Sequence, residues 1–324
     1  MQVTNNEIST EAVFSQEKGR GNNILVLLVS NKKLLIGSCM VAFFILMAIF
    51  APVLTHYNPS NFSNDLSFPP SAKHWLGTTT KGEDVFAQLV YGARVSLLIG
   101  FVSAIGSSLL QILFGLSAGY FGGAIDDVLS LIMNVFLVLP GLPLAIVLSS
   151  FAPTQGFVAS STIPTGFIVL TLVLLFTTWS YGARVLRAQT MSLREREFVT
   201  AAKASGETSF RIIFAEILPN EIALVVSNFV TTTVYTILAE VALEYLGLGD
   251  TAVSSWGVML YWAQLNQVFL GGQWWWFVPP GLCVAIICAG LTFINFGIDE
   301  LANPRLRSDK MPKIKKQKKE GAVA

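Results

Sequence analysis

Charge is scarce in this sequence: Asp, Glu, Lys and Arg make up 13% of its 324 residues, about half the share of an ordinary soluble domain. Hydrophobic residues reach 53% and the mean hydropathy is +0.61, more apolar surface than one aqueous core hides, so lipid is the expected solvent for much of the chain. A net charge of +1 gives no case for a nucleic-acid partner. Only three cysteines occur, Cys39, Cys283 and Cys288. All lie in apolar stretches without a C-x-x-C pair, which excludes a disulfide framework and reads as buried small hydrophobes. The two histidines, His56 and His74, have no metal-ligand spacing between them, so no metal site is expected. The phosphate-binding pattern G-x-x-x-x-G-K-[ST] is missing, so the chain does not hydrolyse ATP by that route.

Long apolar runs are abundant. Six stretches are long enough to cross ~30 Å of hydrocarbon at ~1.5 Å per residue: Leu34–Leu54, Val95–Leu116, Val128–Phe151, Pro164–Tyr181, Ile222–Val241 and Phe277–Ile298. Together they hold one ionisable residue, Glu240. The expected fold is all-α and integral to the membrane. The first stretch begins after 33 residues and lacks an A-x-A site, so it reads as a retained span rather than a signal peptide. Pro140 and Pro143 are expected to bend the third.

Lysine and arginine resist translocation and set the orientation. With the N-terminus inside, the inner segments carry 18 of them and the outer segments three, Lys73, Lys81 and Arg94. Both ends are therefore expected in the cytoplasm. Residues 1–33 form a polar cytoplasmic tail, 55–94 an extracytoplasmic segment, 95–298 a five-helix core with a cytoplasmic loop over 183–220, and 299–324 a basic tail that anchors topology. The charge-free stretch 251–276 tempts with a seventh crossing, but Trp256–Leu270 reaches only ~22 Å and would move the basic tail outside. It is read as a re-entrant or interfacial segment, with Trp274, Trp275 and Trp276 as an aromatic belt before the last span.

The loop between the fourth and fifth spans has the punctuation of two short helices divided at Gly206, where a left-handed cap would end the first. In the second, Phe210, Ile213, Phe214 and Ile217 recur at i, i+3, i+4 and i+7, one apolar face. Leu218-Pro219 is expected to stop it before the next span. Such a face needs cover from the chain's own span ends, the lipid surface or a groove on a partner.

The order Thr200-Ala201-Ala202, Gly206, Leu218-Pro219 resembles the EAA loop by which permeases of binding-protein-dependent ABC importers dock their ATPases. HWLGTTTKGEDVFAQLVYGARVSLLIG, GYFGG-x-x-D, ARVLRAQT-x-SLREREFV, AE-x-x-L-x-x-LGLG, SWG-x-ML and NPRLR follow in sequence over residues 34–307. They resemble the C-type permease subunit of the oligopeptide/dipeptide/nickel group. Two departures stand out. Thr200 replaces the glutamate that names the loop, and Thr79-Thr80 with Gly82-Glu83-Asp84 replaces the usual acidic pair and G-R-D.

The resemblance implies a prokaryotic plasma-membrane permease that lines a path together with a homologous B-type permease. Two ABC ATPases, which use ATP and Mg, would dock on one side and an extracytoplasmic substrate-binding protein would deliver cargo on the other. The chain itself would bind no cofactor and catalyse nothing. Peptides are the favoured cargo, with oligosaccharides or nickel complexes as alternatives. Asn228, Thr231, Thr232 and Tyr235 share a face of span five and are candidates for the path wall, against simple helix packing. Glu240 and Glu244, one turn apart, either meet a cationic group at an outer gate or pair at the interface between permeases. A lone secondary transporter would need more intramembrane charge or an internal repeat, and a passive scaffold would not need an amphipathic loop.

Overall fold

The computed structural model describes residues 31–139, 141–150 and 165–302. The helices are α1 (Lys32–Ile49), α2 (Ala51–Leu54), α3 (Val85–Phe121), α4 (Gly123–Val138), α5 (Gly141–Ser150), α6 (Thr165–Arg194), α7 (Glu197–Ala204) and α8 (Ser209–Arg211). After α8 comes a π-helical stretch, Ile212–Ile217, followed by α9 (Leu218–Tyr245), α10 (Trp256–Leu265) and α11 (Trp274–Ala302). Five helical segments are long and apolar enough to cross a membrane. Gly123–Val138 with Gly141–Leu148, meeting at 83°, makes a sixth if the bent pair is one span. The all-helical, membrane-embedded class expected from the sequence is what the chain adopts, and α10 is not a further crossing.

Helix α3 sits at the centre and shows how these spans differ from soluble helices. Leu98, Val102, Ile105, Leu109 and Leu113 form its exposed stripe. Ser96, Ser103, Ser107 and Gln111 form the buried one. Small and hydroxyl-bearing residues let helices approach closely and bond across the contact, while lipid solvates the leucines. Ser103 Oγ donates to the main-chain oxygen of Thr171 at 3.1 Å, Ser107 Oγ to that of Leu175 at 2.9 Å, and Gln111 Nε2 to Thr232 Oγ1 at 3.1 Å.

Several boundaries differ from the hydropathy reading, each for a local reason. Span one ends at Ile49 rather than Leu54, because Pro52 opens a separate short turn. Span two runs from Val85 to Phe121, ten residues earlier than expected. Asp84 Oδ1 caps its start by accepting from Ala87 N at 2.7 Å, and Gly122, at φ +67°, ends it. The expected extracytoplasmic segment 55–94 thus gives its last ten residues to helix. Span three breaks between Val138 and Gly141, with Pro143 inside the second arm. Span four continues to Arg194, so the first residues assigned to the loop 183–220 belong to the span. The first and last spans take in Lys32, Lys33 and residues 299–302 from the expected tails, while Pro140, Phe151, Pro164, residues 1–30 and residues 303–324 lie outside the described residues.

The segment between the first two spans is folded onto the bundle. Buried His74 Nδ1 lies 2.7 Å from Asp84 Oδ2, the carboxylate that caps α3. Lys73 hydrogen-bonds Asp65 and holds its carboxyl below the ordinary carboxylate range. Thr80 Oγ1 donates to Asn266 Oδ1 at 3.1 Å, and Lys81 Nζ lies 3.9 Å from the ring centre of Trp262, which ties this segment to α10. The expected tryptophan belt divides: Trp274 is exposed, while Trp276 is buried in the core. Cys39 is exposed on α1 and Cys283 and Cys288 are half-buried, so the buried-hydrophobe reading fails for Cys39; lipid solvates a small thiol as it does a methyl.

Candidate functional site

The loop begins as expected. Helix α7 ends at Ser205, Gly206 takes φ +78°, and Thr208 Oγ1 caps the next turn through Arg211 N. It then departs, because Leu218-Pro219 does not stop the second helix. Ser209–Tyr245 is one helical rod of 37 residues, ~55 Å long. Proline at position 219 has no N–H to donate and its ring crowds the carbonyl four residues back. The chain accommodates it by widening to π geometry over Ile212–Ile217, where Leu218 N bonds Ile213 O instead of the α-helical oxygen.

The single apolar face also divides. Ile213 and Ile217 are buried with Ile212, Val199, Leu116 and Tyr120, and Ala202 packs against the same cluster. These residues fasten the loop to the ends of α3 and α6. Phe210 and Phe214 remain outside, 72% and 41% exposed, with ring centres 4.5 Å apart. Thr200 and Ala201 are exposed on α7, and Thr200 Oγ1 bonds Glu197 O at 2.9 Å. The wider π turn over Ile212–Ile217 departs from the 3.6-residue period on which a single face rests.

A second feature lies between spans three, four and five. A cleft of about 290 Å³ is lined by Thr177, Thr178, Ser180, Tyr181, Thr231, Thr232 and Tyr235, with Phe136, Leu137, Leu139 and Gly141 at the break of span three. Three of the four sequence candidates meet there. Asn228 does not; it is half-buried and its Nδ2 has no partner among the described residues. Sequence reasoning missed the span-four wall, although the run Thr177-Thr178-Trp179-Ser180-Tyr181 puts four hydroxyls in five residues at lipid depth, a signal as strong as the one used for span five.

Glu240 and Glu244 are both buried inside the chain. Glu240 Oε1 accepts from Ser96 Oγ at 2.9 Å, and the same Ser96 oxygen accepts from Trp256 N at 3.2 Å. Glu244 Oε2 accepts from Ser255 Oγ, which caps α10 through Val258 N. The two glutamates therefore hold α10 against α3 and α9. Similar pairings close the end near the loop. Arg187 grips Asp126 with Nε and Nη2 at 2.5 and 2.6 Å, and Thr190 Oγ1 donates to buried Glu221 Oε1 at 2.9 Å. GYFGG-x-x-D thus meets ARVLRAQT, and AE-x-x-L-x-x-L meets both GARVS and SWG.

Comparison with known proteins agrees with these motifs. The family of binding-protein-dependent transport system inner membrane components matches residues 111–308, and the N-terminal transmembrane domain of oligopeptide transport permease C matches residues 24–70. The dipeptide transport system permease protein DppC of Alkalihalophilus pseudofirmus is 35% identical over 284 residues, 87% of this chain and 88% of the relative. DppC of Bacillus subtilis is 33% identical over 86% of this chain and 84% of its own, and OppC of the same organism, an oligopeptide transport system permease protein, is 31% identical over 86% and 87%. The chain is a multi-pass membrane protein that belongs to the inner-membrane components of binding-protein-dependent ABC transport systems, as a C-type permease subunit.

Proposed function

We propose that this chain is the C-type permease of a peptide importer in a prokaryotic plasma membrane, with both termini in the cytoplasm. It forms a path with a homologous B-type permease. An extracytoplasmic binding protein delivers peptide, and two ABC ATPases supply the work of ATP and Mg chemistry while this chain catalyses nothing. The carrying observation is the exposed Phe210–Phe214 pair on a rod continuous with span five. Two phenylalanines in ring contact and exposed on a loop outside the spans need a groove to cover them, and Ile213 and Ile217 already fasten their base to the chain's own core. Movement of a docked ATPase is then transmitted as a rigid tilt of Ser209–Tyr245, whose far half carries Thr231, Thr232 and Tyr235 into the cleft wall. Peptide cargo is the reading favoured by the names of the relatives.

The test is purification of the tagged chain from its native membrane, followed by assay of ATP-driven uptake of labelled di- and oligopeptides in proteoliposomes. Two ATPase copies should co-purify, and uptake should require the binding protein. A chain that purifies alone and transports without ATP would sink the proposal.

A further inference from the structure

The cleft differs from a generic polar wall in what its hydroxyl groups have left to offer. Among the described residues, no Asp, Glu, Lys, Arg or His lines it. Thr177 Oγ1 donates to Val173 O at 2.9 Å, Thr178 Oγ1 to Leu174 O at 2.8 Å, and Thr231 Oγ1 to Ser227 O at 3.0 Å. A hydroxyl has one hydrogen and two lone pairs. With the hydrogen spent on its own helix, each of these threonines turns only acceptor lone pairs outward. Thr232 already accepts from Gln111 Nε2 and Thr231 from Asn295 Nδ2 at 3.3 Å, and Thr178 Oγ1 lies 2.6 Å from Ser107 Oγ, so Thr177 keeps both lone pairs while Thr178 and Thr231 keep one each. Tyr181 and Tyr235 are the exposed donors, both with their phenol O–H free of partners among the described residues.

We infer that this wall takes its cargo by the main chain of a peptide, with threonine oxygens accepting its N–H groups and tyrosine hydroxyls donating to its C=O groups, irrespective of side-chain charge. The inference rests on the reading of the cleft as path wall. Amide groups need one acceptor and one donor each, which this lining supplies, and a wall without charge neither traps nor repels an ionised side chain. A metal complex finds no carboxylate, thiolate or imidazole among the described lining residues to replace its ligands.

The test uses the complete transporter, with both permeases, ATPases and binding protein, in proteoliposomes. Uptake of trialanine, trilysine and triglutamate is measured for wild type and for T177V, T231V, T231D and T231W. Valine keeps the shape of threonine and removes the acceptor, so each valine variant should slow all three peptides by one common factor, about two- to tenfold. T231D should divide them, slowing triglutamate far more than trilysine. Co-purification of the ATPases with each variant shows that assembly persists. Valine variants at wild-type rates, or valine losses that depend on peptide charge, overturn the inference while leaving the path in place if T231W blocks uptake. Full transport by T231W removes the cleft from the path and overturns both readings.

Discussion

Arg94 donates through Nε to the main-chain oxygen of Ala48 and through Nη2 to that of Ile49, at 2.9 Å for the second. Both are carbonyls near the end of α1 whose i+4 partners do not reach them. Pro52 has no N–H for Ala48 O, and Val53 N turns to Phe50 O instead of Ile49 O. A carbonyl unpaired beside lipid is costly, so a guanidinium on α3 completes a helix belonging to another span. Arg94→Met should lower the stability of the purified complex by about 2 kcal/mol, read as a drop in thermal midpoint in detergent. Arg94→Lys should recover only part of it, because an ammonium does not present a planar fork to two oxygens. An unchanged midpoint in Arg94→Met would count against this account.

The double variant Phe210→Asp with Phe214→Asp should insert and fold normally but lose its ATPases and all uptake. Each buried phenylalanine is worth about 1.5–3 kcal/mol to a docked groove, and an aspartate there is unpaired. Ile217→Asp gives the contrast, since Ile217 is fully buried in the chain's own cluster. It should destabilise the permease before any partner is met. Pull-down and thermal melting separate the two outcomes; retained ATPases in the double variant would remove the loop from the coupling role.

Among the described residues no atom lies within 4 Å of a Cβ placed on Gly206, so its φ of +78° is the constraint that they impose there. Gly206→Val should therefore cost about 1–2 kcal/mol in local backbone strain without any clash. ATPase binding should persist in part, with fewer transport cycles per ATP hydrolysed. Gly206→Asn, which tolerates positive φ, should behave close to wild type. Equal coupling ratios in all three proteins would show that the angle between α7 and the rod is not used.

At Gly37, by contrast, space is decisive, because a Cβ would lie 2.5 Å from Gly290 O and 2.8 Å from Ile294 N. Gly37→Leu should push α1 off α11 and destabilise the chain by about 1–3 kcal/mol. Disulfide trapping between cysteines placed on the two helices would report the separation as a lower cross-linking yield.

Orientation is tested by labelling. With the native cysteines replaced, a cysteine at Asn61 should react with an impermeant maleimide from outside, and one at Glu195 only after permeabilisation. Both side chains are exposed, so accessibility to the reagent is not limiting. The opposite pattern would invert the chain.

The motifs were legible as a set long before their purpose was. That Asp126 belongs with Arg187, Glu221 with Thr190, and Glu244 with Ser255 is not visible in a linear sequence, because each pair joins residues on different helices and a single sequence carries no information about which helix faces which. The same limit hid the partner of Glu240. An ionisable residue at lipid depth signals a functional site by default, and here its partner Ser96 is an unremarkable residue on a helix 144 positions away. The span-four hydroxyls were legible and simply not read.

Sequence alone determined that the chain lives in lipid, that it holds several apolar segments of spanning length, and where its two-helix loop begins, because hydropathy and helical period are local properties that each segment expresses by itself. Tertiary structure decided which half of the loop's apolar face is spent on the chain's own core. That division depends on Pro219 widening the helix to π geometry and on Leu116, Tyr120 and Val199 waiting at the ends of other elements. It also decided that three hydroxyls of span five share a cleft with those of span four while two glutamates serve α10. Such assignments follow from close packing between segments distant in the chain, which no single segment encodes.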